Sequence, residues 1–198
     1  MPCPPSYEEL RLMELDRLGA DIEKRIAPRV QDLTVIHEVL VAVASLSPIE
    51  QGDRELIESF AFVSDLRPEL PLPRYRGPKA ICREGYPGPT DMPCYEAEAN
   101  YRSQLLARID LAACVFGCAL MRWLDAHGTP GDSGLATRIE DATARHRLHR
   151  ITERDELITE FETGPWRRTN PKFADERLAT LRAIDDATLL RDRTVLHR

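Results

Sequence analysis

The chain has 198 residues, 42% of them hydrophobic, with 33 acidic against 27 basic side chains and a net charge of −6. That is the balance of one soluble domain able to bury a core without disulfide or metal staples. With glycine at 10 residues and apolar residues recurring at helical spacing, collagen-like and disordered classes are excluded.

In chain order, Ser6 and Glu9 form the S-x-x-E capping box of a first helix. Leu12, Leu15, Leu18, Ile22 and Ile26 follow in steps of three and four and are expected to bury one face. Pro28 should stop or kink this helix, because it lacks an N–H and restricts Ala27. A second helix is expected from about Val30 to Leu46, with Leu33, Ile36, Leu40 and Val43 on one face and Val39, Val41 and Leu46 thickening it. Ser47, Pro48 and Glu50 repeat a start signal for a third helix, running to about Leu66 with Leu56, Phe60 and Val63 inward.

From 67 to 94 the texture changes, with seven of the 15 prolines in one irregular segment. Loops of that length are usually either functional or disordered; on the functional reading Arg74, Tyr75, Arg76 and Tyr86 are its candidate partner-binding residues, since Arg and Tyr are enriched at hot spots, and the alternative is a solvated linker. The strongest period comes next: Leu105, Ile109, Ala112, Phe116, Leu120 and Trp123 define a helix over about 95–127, apolar all round between Leu111 and Met121. Gly128 and Pro130 end it. Further helices are expected from Gly134 to about Arg150, from Thr152 to Phe161, and from Phe173 to about Arg191 with Leu178, Leu181 and Ile184 inward. No alternating strand pattern is present. The expected fold is all-α: a single domain of about seven helices around the buried 95–127 helix, with N-terminal helices over 6–66 and C-terminal helices over 95–191.

The uncharged apolar run Leu111–Met121 falls short of the roughly 20 residues a bilayer needs, so no membrane span is expected. The N-terminus lacks the basic start and apolar stretch of a secretory signal, which points to the cytoplasm. Five cysteines with no C-x-x-C spacing read as reduced thiols. Residues 1–100 hold 11 basic and 18 acidic side chains, against 16 and 15 in residues 101–198, so generic nucleic-acid binding is disfavoured in the first half.

Several motifs carry a possible chemistry. Pro4-Pro5-Ser6-Tyr7 fits the PPxY pattern that extended polyproline ligands present to WW domains, but the helix start already accounts for Ser6 as N-cap and Tyr7 as a first-turn residue. The string Gly131-Asp132-Ser133-Gly134 matches that around a serine-protease nucleophile, but such chemistry needs two β-barrels, and an ordinary helix N-cap at Asp132 or Ser133 accounts for it. His37-Glu38 begins H-E-x-x-H, and Val41 stands where the second histidine belongs. His146 and His149 are close enough on a helix to share a metal, yet Arg145, Arg147, Arg150 and Arg154 surround them, and a solvated basic face is expected. Cys114 and Cys118 read as small buried hydrophobes; joined to Cys82 and Cys94 they would make four thiolates for a metal, at a spacing that fits no known signature.

No cofactor is implied. The sequence favours a non-enzymatic regulatory or interaction protein that works through helical surfaces and the 67–94 loop, with another protein as partner and a homodimer as one form. The competing classes are a small helical enzyme with Cys94, Tyr95, Arg102, Asp110 and His127 around a pocket, and a nucleic-acid binder using the Arg-rich 138–154 helix.

Overall fold

A computed structural model describes residues 6–66 and 92–198; the side chains of 8, 12, 16, 65 and 92–99 lie outside that description, as do Pro4, Pro5, Cys82, Arg74, Tyr75, Arg76 and Tyr86. The described chain is all-α, with no strand among the described residues. Its helices are α1 (Tyr7–Leu46), α2 (Gln51–Glu58), α3 (Met92–His127), α4 (Ser133–Thr163), α5 (Pro165–Thr169), α6 (Pro171–Ala183) and α7 (Asp186–Arg191), with 3₁₀ turns at Ala61–Asp65 and Val195–His197.

The start of α1 is as the sequence indicates: Glu9 Oε2 accepts the Ser6 N–H at 2.6 Å and Ser6 Oγ accepts the Glu9 N–H at 3.3 Å. Pro28 does not end it. The helix runs unbroken for 40 residues with Pro28 inside. Pro28 and Lys24, whose carbonyl loses its partner, are both on the exposed side, where that carbonyl is open to solvent. Two further expected breaks are also absent or displaced. The helix over 133–163 passes straight through Thr152, which has no glycine or proline beside it and is half-buried. Ser47 does not cap α2, because its N–H still bonds Val43 at the end of α1 and its carbonyl accepts the Trp123 indole N–H at 2.9 Å. Conversely, the expected last helix is two: α6 ends at Ala183 and Asp185 caps α7, accepting the Thr188 N–H at 2.9 Å.

The chain divides into two compact units, Met1–Gln31 with Ser64–Asp110, and Asp32–Val63 with Leu111–Arg198. In the first, Ile22, Ile26, Val30, Leu105, Leu106 and Ile109 are buried. Arg102 crosses from α3 to α1, donating to the Gly19 carbonyl and pairing with Glu23 at 3.2 Å, while Arg29 pairs with Asp110 at 3.5 Å. Leu18, expected inward, is 48% exposed.

In the second unit Leu33, Ile36, Leu40 and Val43 of α1 are buried as their spacing implies, whereas Val41 and Leu46 are exposed. Every residue from Ala112 to Leu120 is buried, and only Leu111 of the all-apolar stretch faces out. The segment Asn100–His127 is by length and composition long and apolar enough to cross a membrane, which the Leu111–Met121 run alone understates; 67% of its window is buried inside the protein, as in a core helix. A further apolar cluster joins Phe161, Ala174, Leu178, Leu181, Leu189 and Leu196. Asp132 caps α4, accepting the Leu135 N–H at 2.7 Å, and Gly128 at φ 74° ends α3, as expected of the Gly-rich loop between them.

Because Pro28 removes a helical hydrogen bond on a solvated face, Pro28→Ala should raise the unfolding free energy by about 2 kcal/mol. A urea titration checks this; a loss of stability would mean the ring has a packing role.

Candidate functional site

The last carbonyls of a helix have no partner inside it and need donors from elsewhere. At the end of α7 four consecutive carbonyls receive side-chain donors, all from α3 and α4. Arg150 Nε donates to Leu189 O at 3.1 Å and its Nη2 to Asp192 O at 3.1 Å. Between them His146 Nε2 meets Leu190 O at 3.0 Å, and Arg122 Nη1 donates to Arg191 O at 2.5 Å. Arg150 and His146 are fully buried. The third Arg150 nitrogen pairs with Glu153 at 2.5 Å, so its charge is balanced by one carboxylate and by the negative end of a helix.

This overturns the expected solvated basic face on the 138–154 stretch. His146, His149 and Arg150 are buried, and they continue the inward row begun by Ile139 and Ala142. The arginines around them are engaged with carboxylates: Arg138 with Glu38, Arg145 with Asp32 and Asp141, Arg147 with Asp186, and Arg154 with Asp155 and Asp186.

Leu190 O can only accept, so His146 carries its proton on Nε2. The same nitrogen lies 3.9 Å from Cys118 Sγ, which therefore also accepts. Cys114 stands one helical turn earlier, and the Cys118 thiol is shifted down: its Cys114 neighbour contributes most, burial opposes it, and His146 and Arg150 add to the lowering. The Cys114 thiol is shifted up, by donating to Cys118 and by burial. Gly117 makes the arrangement possible, since a Cβ there would sit 2.1 Å from His146 Nδ1.

Of the expected metal set, the structure brings Cys114 and Cys118 together, as free buried thiols. Cys82 and the Cys94 side chain lie outside the described residues. Among the described residues, no group of three or more His, Cys, Asp or Glu side chains is placed to hold a metal ion. The expected enzyme pocket is not assembled by the members that are described: Arg102 and Asp110 are in ion pairs within the first unit, while His127 lies tilted against Trp123 with ring centroids 4.8 Å apart. His37, half-buried, lies against Phe116 at 5.4 Å, and burial pushes its pKa down.

A second candidate is the outer face of α1. Tyr7, of the PPxY string, is helical and 75% exposed, and Leu10, Met13 and Leu18 are likewise exposed. A cleft of about 950 Å³ runs along this face, lined among the described residues by Tyr7, Leu10, Met13, Glu14, Leu15 and Leu18 among others. The sequence period marks Leu15 and Leu18 as core, and the structure leaves Leu18 exposed.

No protein-family model, curated protein or solved structure matches this chain.

Gly117→Ala should cost about 1–3 kcal/mol, because His146 must move off Leu190 to admit the methyl group. Gly52→Ala, with open space around its Cβ, should instead be neutral or stabilise slightly. Equal effects of the two in urea unfolding would show that His146 is not held by Gly117. The acid response follows from three carboxylates around α7 whose pKa values are lowered. Asp125 is held down by Arg191, Asp185 by the Thr188 N–H and hydroxyl, and Asp192, against its burial, by the Thr194 N–H and hydroxyl. Depressed carboxylates contribute stability above their unfolded values and lose it as pH falls through the folded ones. The thermal midpoint should therefore drop between pH 7 and about pH 3; circular dichroism showing no drop would remove the α7 carboxylates from the account.

Proposed function

We propose that this chain is a non-enzymatic interaction protein, and that the outer face of α1 pairs with the same face of a second copy. The observation that supports it is the cluster of Tyr7, Leu10, Met13 and Leu18, exposed on the first turns of one helix along a cleft. Exposed apolar side chains gathered in one place mark interaction surfaces, whereas scattered ones need no explanation.

The face is also self-complementary. In an antiparallel pair centred between Leu12 and Met13, Tyr7 of one copy meets Leu18 of the other, and Arg11 meets Glu14, each twice by the two-fold symmetry. The engaged arginines of the 138–154 stretch weigh against the nucleic-acid reading, because a phosphate backbone would have to displace carboxylates already paired. The ion pairs that occupy Arg102 and Asp110 weigh likewise against the enzyme reading.

Sedimentation equilibrium tests the proposal. Wild-type protein should be dimeric at micromolar concentration, and Leu10→Glu with Leu18→Glu should make it monomeric with unchanged helical content. Glu14→Arg should weaken the dimer and Arg11→Glu added to it should restore it. A wild-type monomer, or a dimer indifferent to the double leucine change, would overturn the reading.

A further inference from the structure

Tyr7 and Leu10 stand three apart at the start of α1, so they share one face of its first turn, with Cβ atoms about 5–6 Å apart. Both are exposed, at 75% and 52%. Ser6 joins this turn to the chain before it. Its carbonyl accepts the Leu10 N–H at 3.0 Å, and its amide and hydroxyl bond Glu9, which makes it the N-cap. An N-cap residue keeps extended backbone while the residue after it is helical. In the sequence Pro4 and Pro5 come immediately before it. Proline fixes its own φ and holds the residue before it extended, so a Pro-Pro pair favours polyproline II.

We propose that residues 4–10 dock in the aromatic-lined groove of a WW-type domain, with Pro4 and Pro5 on the groove rings, Tyr7 as the anchor beyond them and Leu10 beside it. The inference rests on the reading of this face as an interaction surface and not on its self-pairing. Tyr7 and Leu10 serve one partner at a time, so docking and self-pairing compete.

The ligand is organised before it binds. Ordering a flexible segment costs free energy that the contacts must first offset. Here the turn that presents Tyr7 and Leu10 is closed by the capping box and continued by the rest of α1, and a Pro-Pro pair has little freedom to lose. The one position that PPxY leaves open is Ser6, whose hydroxyl is already used on the Glu9 N–H. Capping and docking therefore draw on different side chains. Pro2 and Pro5 also fit the PxxP pattern that SH3 domains read, but that pattern makes no use of an exposed tyrosine one turn from an exposed leucine.

Isothermal titration of the full chain with a purified PPxY-binding WW domain tests this, the same domain with its groove aromatic replaced by Ala being the control. Wild-type protein should bind the intact domain and not the control. Tyr7→Ala, and Pro4→Ala with Pro5→Ala, should each weaken binding about tenfold or more, and Leu10→Ala by a smaller factor, with helical circular dichroism unchanged. Two variants separate docking from self-pairing. Leu18→Glu, outside residues 4–10, should leave docking at least as tight, and the paired proline change should leave sedimentation as in the wild type. The proposal is overturned if no binding tighter than about 1 mM is found, if the control domain binds equally, or if affinity survives Tyr7→Ala. Binding to an SH3 domain instead, lost with Pro2→Ala and indifferent to Tyr7→Ala, would overturn it as well.

Discussion

The second unit depends on how the buried guanidinium of Arg150 is satisfied. A cation taken out of water costs several kcal/mol unless it is paired and fully hydrogen-bonded. One carboxylate, Glu153, meets one nitrogen, and the others find Leu189 O and Asp192 O at the end of α7. The dependence runs both ways. α7 is six residues long, and a helix that short has no independent stability in water. Its N-terminus has Asp185 as cap, its C-terminus has Arg150, His146 and Arg122 as donors, and its one buried side chain, Leu189, joins the cluster of Phe161, Leu178 and Leu181.

From that requirement the neighbouring features follow in order. Holding Leu190 O fixes the tautomer of His146. A ring in that position presses on α3, and Gly117 is the residue that admits it. The protonated Nε2 then faces Cys118 and, with the Cys114 donor and the charge of Arg150, shifts that thiol toward its anion. A capping requirement at one helix end thus adds to the lowering of a thiol on another helix, second to the Cys114 neighbour on that same helix.

Much of this was legible in the sequence, and the failures have physical causes. The 3.6-residue period of Leu105, Ile109, Ala112, Phe116, Leu120 and Trp123 located α3 and its inward face because burial and period coincide there. Period does not say how far a core extends: Leu18, Val41 and Leu46 belong to the apolar pattern and are exposed. Local break signals misled where their context removed them: Pro28 on a solvated face, Thr152 inside a helix already held by its neighbours. The site was hidden by residue type. Ile139, Ala142, His146 and His149 keep a helical period, with Arg150 beside them, and that row pointed inward; the abundance of charge at 145–154 argued the other way. What reversed it was a set of carbonyl acceptors more than 35 residues further along the chain, invisible to any local reading.

The arginine bias of the sequence, 24 against 3 lysines, acquires a structural use in this light. A lysine ammonium is a compact charge with no fixed fork, whereas a guanidinium holds planar donors in two directions at once. Arg122 grips both oxygens of Asp53 while a further nitrogen reaches Arg191 O. Arg191 in turn clasps Asp125, and Arg177 gathers the carbonyls of Leu196 and Arg198. Each joins segments far apart in sequence, and several do so by meeting backbone carbonyls that would otherwise stay unsatisfied. Replacing such an arginine with lysine would keep the charge and lose the second contact. These arginines hold the C-terminal segment through contacts that involve no basic surface for nucleic acid.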